Sequence, residues 1–228
     1  YTYNSINSLH KKNLIAKQKR KKERDLDTDF CIKNEINKLD ISTIPELTLE
    51  QSMAIEKIEA IGSGNVSLLW GETGSGKTEV YVRLAQNQIL KKNSCLILAP
   101  EIGLIPQLVD RFKNRLKKNV FEYHSNCTKK YKKFVWKKVT SEEEPIIIIG
   151  TRSAIFLPIK KLGLIVIDEE HDTSYKQDSP MPCYDAREVA LDRVRKNNIK
   201  LIFGSATPSM NIWKKVNYDK TITMLRMR

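Results

Sequence analysis

WGETGSGKTEVY, residues 70–81, follows the apolar run VSLL and sets Gly71, Gly74 and Gly76 within six positions, directly ahead of Lys77 and Thr78. Glycine loses more backbone freedom on folding than any other residue, so three this close need a use beyond turning the chain. A phosphate is such a use. Gly71, Gly76, Lys77 and Thr78 satisfy G-x-x-x-x-G-K-[ST]. In that pattern backbone N–H groups curl around phosphates, the lysine reaches the terminal phosphates and the threonine hydroxyl holds Mg²⁺. The apolar strand before it and the helical pattern after it matter as much as the letters, because loop and helix N-terminus must aim their donors at one anion. The rival reading is a glycine-rich strand-to-helix turn without a ligand.

Outward from this stretch, short apolar runs alternate with helix-like segments. The runs are VSLLW (66–70), SCLILA (94–99), VFEYH (120–124), IIII (146–149), LIVI (164–167) and KLIFG (200–204). Each has strand length and is apolar on both faces, as a strand covered by helices on both sides must be. Between them, EVYVRLAQNQILKK and YDAREVALDRVRKN carry apolar residues at helical spacing. The alternation predicts an α/β fold, a mostly parallel sheet with helices on both faces, over residues 46–228. Residues 1–45 read as a basic linker or tail, too dense in charge and too thin in large apolar groups to bury much surface.

Forty basic against twenty-seven acidic residues give a net charge of +13. That excess favours a polyanionic partner through phosphate neutralisation and counterion release. A background bias toward lysine, asparagine and isoleucine would give the same excess without a binding face. Cys31, Cys95, Cys127 and Cys183 lie far apart without a C-x-x-C pair, which fits neither a zinc knuckle nor a dense disulfide framework and predicts reduced thiols in the cytoplasm. No apolar run approaches the ~20 residues that span a bilayer. The chain starts at Tyr1 and stops at Arg228 just after an apparent strand, so we expect a fragment of something longer.

Splitting a nucleoside triphosphate takes a carboxylate for the metal and a second group to orient the attacking water. LIVIDEEHD, residues 164–172, supplies both. Acidic residues directly after a fully apolar strand lie at the carboxyl edge of the sheet, where open α/β folds bind ligands. Asp168 is expected to face Mg²⁺ and Glu169 to align and deprotonate water; the rival is an acidic helix start. GSATPS (204–209) brings the hydroxyls of Ser205 and Thr207 to the same edge, although Pro208 and Ser209 equally suit a turn and helix start. GTRSA (150–154) offers hydroxyls and Arg152 to a nucleic-acid phosphate or to solvent. TKKYKKFVWKKV (128–139) interleaves lysines with Tyr131, Phe134 and Trp136. Its apolar residues at 131, 134, 135 and 139 recur at helical spacing. This reads as a helix packed on the sheet, with Lys129, Lys130 and Lys133 on a solvated face, rather than as a stacking platform for single strands. His10 and His124 have no metal-like company, and only His171 stands inside a chemical cluster.

In order and spacing, GETGSGKTEVY, APEIGLIPQLVDRF, GTRSAIFLP, LGLIVIDEEHDTSYKQ and GSATPS closely resemble the superfamily 2 helicases, and their wording is similar to that of the replication-restart DNA helicases among them. The resemblance runs from about Leu47 to Leu225 and covers the first motor lobe, a RecA-like P-loop NTPase unit. It implies that Gln51 reads the adenine of ATP, that Gly71, Thr73, Gly74, Ser75, Gly76, Lys77 and Thr78 bind its phosphates, and that Thr78 and Asp168 hold Mg²⁺. Asp168, Glu169 and His171 would be catalytic. Ser205, Ala206 and Thr207, with His171, would couple hydrolysis to movement, while Pro100, Glu101, Gly150, Thr151 and Arg152 would lie along the DNA strand. The GSAT strand is implied to sit between the P-loop strand and the DEEH strand.

The implied activity is ATP-dependent 3′-to-5′ unwinding in replication restart and primosome assembly. Its implied partners are DNA forks, single-strand/duplex junctions, and replication-restart and helicase-loading proteins, with no membrane. A non-catalytic primosome scaffold and a branch-migration translocase on double-stranded DNA are the rivals. Three departures from the family stand out. DSPMPCYDAR replaces its aromatic-rich loop, leaving Tyr175 and Tyr184 nearby, and its N-terminal DNA-binding domains are not recognisable in residues 1–45. The second motor lobe, with its arginines and a zinc-holding cysteine insertion, is not among these residues, so the lobe alone is expected to turn over almost no ATP.

Overall fold

Among the described residues nine strands form in chain order: β1 (Val66–Gly71), β2 (Ser94–Leu98), β3 (Val120–Tyr123), β4 (Ile147–Gly150), β5 (Leu162–Ile167), β6 (Lys176–Gln177), β7 (Tyr184–Asp185), β8 (Lys200–Ser205) and β9 (Thr223–Met227). Among the same residues six α-helices accompany them: α1 (Leu49–Ala60), α2 (Lys77–Leu90), α3 (Ile105–Leu116), α4 (Lys129–Ser141), α5 (Ala186–Lys196) and α6 (Met210–Asn217). The computed structural model describes residues 46–62, 64–116, 120–141 and 144–227; the tail expected over residues 1–45 lies outside them.

Seven strands make one sheet in the order β3-β4-β2-β5-β8-β1-β9, and every pairing in it is parallel. The apolar runs explain why. Along β1, Leu68 enters one buried cluster and Leu69 the other; along β5, Ile165 and Ile167 face one side while Leu164 and Val166 face the opposite one. A strand apolar on both pleat faces must be covered twice, and parallel crossovers lay helices on both sides. Helices α1, α2 and α3 cover the first face through Ala54, Ile58, Val80, Leu84, Ile105, Val109 and Phe112. The other face takes α4, α5 and α6, through Val135, Val139, Ala190, Val194 and Ile212. Full burial of a Leu, Ile or Phe contributes about 1.5–3 kcal/mol, so the two clusters supply most of what opposes chain entropy.

This is the expected RecA-like α/β lobe, and β8, the GSAT strand, does lie between β1 and β5. Because all seven strands run one way, the turns after β1, β2, β4, β5 and β8 gather at one edge, and every chemically marked motif sits there. One element escaped the sequence reading. From the end of SYKQ into DSPMPCYDAR the chain forms a small antiparallel hairpin, β6 with β7, pairing Lys176 with Asp185 and Gln177 with Tyr184.

Candidate functional site

Helix starts decide where the anion-seeking donors are. Thr48 closes the first turn of α1 in a reciprocal capping box with Gln51, Asp185 caps α5 through the Arg187 N–H, and Ser209 caps α6 through the Ile212 N–H. Helix α2 begins instead at Gly76, which brings no capping side chain, so the N–H groups of Lys77 and Thr78 stay available to an outside acceptor. Gly74 (φ 88°) and Gly76 (φ 84°) turn the loop through the left-handed region that side-chain-bearing residues avoid. A Cβ on Gly76 would also overlap the Gln51 amide. Lys77 is buried, and its Nζ donates to the carbonyls of Gly71 (2.7 Å) and Glu72 (3.1 Å). Glu169 Oε1 stands 3.9 Å from the same nitrogen. The Ser75 hydroxyl is buried without a hydrogen-bond partner.

Gln51 is built into this loop. Its Oε1 accepts the Thr48 N–H at 3.0 Å and its Nε2 points at the Ser75 carbonyl at 3.5 Å, so the residue expected to read adenine ties α1 to the phosphate loop.

Across from the loop, β5 ends and the chain turns sharply. Asp168 donates its N–H to the Leu98 carbonyl (3.0 Å), and its Oδ1 accepts the Tyr81 hydroxyl (3.0 Å). Burial, with the Glu169 carboxylate beside it, raises the Asp168 pKa above the ordinary carboxylate value. A divalent cation is the kind of neighbour that would relieve it. Glu169 sits at φ 44°, a strained conformation for a residue with a side chain, of the sort that concentrates at functional turns. Its Oε2 lies 3.6 Å from His171 Nδ1, which in turn is 2.9 Å from Ser205 Oγ. Ser205 Oγ also accepts the Thr207 N–H at 3.1 Å. Trp70, at the end of β1, donates its indole N–H to the Ala206 carbonyl (2.9 Å). The acidic turn, the GSAT turn and the P-loop strand are thus one hydrogen-bonded assembly.

A cavity of about 370 Å³ opens between these parts, lined by Thr73, Gly74, Gly76, Lys77, Thr78, Asp168 and Glu169. Its remaining wall is Leu104, Gln107, Leu108 and Arg111, from the start of α3 and the turn before it. Sequence reading assigned no role to that wall, although Gln107 and Arg111 stand four apart, one helical turn, on the polar side of an amphipathic stretch.

Three further residues were missed. Glu170 is fully buried, and its two oxygens accept the N–H (2.6 Å) and the hydroxyl (2.9 Å) of Ser209. Tyr81, also fully buried, leaves no room for a Cβ at Gly204; burial and Asp168 push its phenol pKa well up, so it stays a donor. Tyr175 is the third. Named in the sequence as a remnant of an aromatic loop, it is instead wholly buried, its hydroxyl against the carbonyls of Leu98 and Asp168. Tyr184 packs edge-on to Phe156 at 4.8 Å. Glu170→Ala is expected to cost about 2–4 kcal/mol, because it leaves two donors of Ser209 without their charged acceptor. Chemical denaturation measures it; an unchanged unfolding midpoint would mean that water replaces the carboxylate.

The residues expected along a DNA strand share the carboxyl edge. Ser174 Oγ donates to the Pro100 carbonyl (2.9 Å), and Glu101 is exposed just beyond. Thr151 donates its N–H to the Tyr123 carbonyl (3.2 Å), and a Cβ on Gly150 would overlap that carbonyl. Arg152 spans to the carbonyls of Ser174 (2.9 Å) and Lys176 (3.1 Å), so part of its guanidinium already braces the segment after the acidic turn. Among the described residues no helix is long and apolar enough to cross a membrane.

The chain is 43% identical over 213 residues to the replication restart protein PriA of Synechocystis sp., covering 93% of this chain and 24% of that protein. To the PriA of Bacillus subtilis it is 42% identical over 172 residues, covering 74% of this chain and 21% of the relative. It therefore spans under a quarter of the length of these curated relatives. Among solved structures, RecG bound to a three-way DNA junction superposes with a TM-score of 0.59 at 22% identity, over 82% of this chain and 25% of that one. The UvsW helicase of bacteriophage T4 gives 0.56 at 14% identity, over 98% and 77%. At those identities the likeness speaks for the fold alone. A model of the DEAD/DEAH box helicase family matches residues 48–215, from the cap of α1 into α6. The chain belongs to the DEAD/DEAH box helicase family.

Proposed function

We propose that this lobe binds and hydrolyses ATP with Mg²⁺ and, within a longer protein, drives 3′-to-5′ unwinding of DNA in replication restart and primosome assembly. The observation that carries the reading is the facing of Lys77 and Glu169 across one cavity, 3.9 Å apart, with Thr78 and Asp168 on its wall. The residues present fit a Mg²⁺-nucleotide: N–H groups without a capping side chain at the start of α2, an orphaned Ser75 hydroxyl, and in Asp168 a buried carboxylate beside that of Glu169.

Thr78 and Asp168 are the residues that would hold Mg²⁺, which when bound would supply neutralisation of phosphate charge. The chain's own part is positioning. Lys77 turns from two carbonyls toward the terminal phosphates, Glu169 orients water and takes its proton, and Tyr81 holds Asp168 in place through their hydrogen bond. His171, bonded to Ser205, links the state of Glu169 to the GSAT turn, and from there to Trp70. Gln51 recognises adenine with the amide hydrogen-bonding capacity left beside its bond to Thr48. An arginine supplied by another lobe is typically worth ~10³–10⁵ in rate, so these residues alone are expected to hydrolyse ATP very slowly.

Similarity to PriA replication restart proteins supports DNA forks and junctions as the substrate of the longer protein, with replication-restart and helicase-loading proteins as its partners in the cytoplasm. Steady-state ATPase and strand-displacement assays on the full-length protein test the proposal. DNA-stimulated hydrolysis with unwinding of a forked duplex is expected. Binding of DNA without any hydrolysis would make the protein a scaffold, and hydrolysis without strand displacement would make it a double-strand translocase.

A further inference from the structure

Helix α4 carries a charge pattern that its packing does not need. Six lysines and no acidic residue occupy Lys129–Ser141. Lys129, Lys133 and Lys137, four apart, form one exposed row along its outer side. Like charges at that spacing repel one another and weaken a helix. The first turn compounds the cost, since Lys129, Lys130 and Lys132 lie at the positive end of the helix dipole, where carboxylates would help. Packing asks for none of this: Val135 and Val139 fill the buried side, and Tyr131 and Phe134 pack on β3 through its Glu122 N–H and the Phe121 ring. Beside the lysine row stands Trp136, 48% exposed and a member of neither buried cluster.

Position gives the pattern a direction. Since β3 ends at the carboxyl edge and β4 starts at the opposite one, α4 begins at the carboxyl edge and runs down the flank of the sheet. Lys132 Nζ donates to the Ser125 carbonyl in the turn that opens α4, and Thr151 is bonded to the last residue of β3, so the GTRSA turn and the start of α4 share one end of the lobe.

We propose that the outer face of α4 is a binding site for a single strand of DNA. Lys129, Lys133 and Lys137 track the sugar–phosphate backbone along about 12 Å of helix, and Trp136 stacks on a base. A single strand is the occupant because a duplex hides the base faces that an exposed indole takes up, whereas stacking and a cationic track are the two elements of single-strand sites. The repulsion within the row is then relieved by phosphates, and a strand crossing the edge above β4 continues down this flank. The inference rests on the reading of the lobe as a DNA motor.

Fluorescence anisotropy with labelled oligodeoxythymidine, measured across a salt series on the full chain, tests it. The triple variant Lys129→Gln, Lys133→Gln, Lys137→Gln is expected to flatten the plot of log affinity against log salt by about 2, at ~0.7 for each phosphate no longer neutralised. Trp136→Ala is expected to weaken single-strand binding about 10-fold at every salt concentration with the slope unchanged, and to leave duplex binding alone. Both variants keep ATP affinity, because no α4 residue lines the nucleotide cavity. Unchanged slope and affinity in the triple variant, or a Trp136→Ala loss shared equally by duplex, overturns the site. Polyglutamate displacing the oligonucleotide from the parent at equal charge would assign the face to an acidic protein and overturn it too. A parent that binds no single strand sinks the DNA-motor reading itself. One whose binding falls with Arg152→Gln but not with the triple variant leaves that reading and removes only the α4 site.

Discussion

Alanine at Lys77 is expected to lower ATP affinity at least ~100-fold, since it deletes two charge-assisted hydrogen bonds to the terminal phosphates at ~1.5–3 kcal/mol each. No second cation in the loop takes over: the rest of the cradle is backbone, and Arg111 approaches from the opposite wall. The substitution also removes the Lys77 Nζ bonds to the carbonyls of Gly71 and Glu72, the latter keeping its bond from the Ser75 N–H. A melting curve is therefore measured beside titration with a fluorescent ATP analogue, so that a collapsed loop is not mistaken for a missing ammonium group. Equal affinity in a folded variant would mean that the glycine-rich loop is only a turn.

Glutamine at Glu169 is expected to leave ATP and Mg²⁺ binding within a few-fold of the parent while slowing hydrolysis by ~10²–10⁴ in the full-length protein, because the amide keeps the shape and one hydrogen bond but cannot take a proton. Geometry makes the substitution clean. The backbone at φ 44° is set by the turn rather than by the carboxylate, and the neighbours of the side chain, Lys77 and His171, stand at 3.9 and 3.6 Å. Asp168→Asn separates the roles: it is expected to weaken metal-dependent binding, since its carboxylate stands in the cavity wall with Tyr81 already bonded to one oxygen. Single-turnover hydrolysis and Mg²⁺ titration distinguish the two variants. Parental rates in both would make the acidic turn structural and favour a scaffold.

Both carboxylates were legible in LIVIDEEHD before any coordinates, as were the six runs that became strands. Local pattern carries such information well. A run apolar at every position says that both faces are covered, glycine before Lys-Thr says that backbone donors are needed, and acids after a buried strand say which edge they reach. The hairpin at Lys176–Asp185 was not legible, because two residues on each side are too few for a period-two signal. Helix α4 was legible as a helix packed on the sheet with lysines on a solvated face. Its spacing separates buried Val135 and Val139 from the lysines, but only the fold leaves Trp136 outside both clusters.

What the amino-acid order determines by itself is the identity of the parts: a parallel α/β lobe, a glycine-rich loop ahead of Lys77, an acidic turn and their common edge. Only the tertiary structure decides which parts touch. Glu170 meets Ser209 thirty-nine residues away and Trp70 meets Ala206 at a separation of 136. Tyr81 reaches Asp168 across 87 residues and occupies the space a side chain on Gly204 would need. Arg152, which the sequence offered to a nucleic-acid phosphate or to solvent, is braced on Ser174 and Lys176. The physical reason is one of range. Periodicity and turn chemistry are local and report burial and direction, whereas a hydrogen bond between distant segments exists only after the order β5-β8-β1 has set those strands side by side.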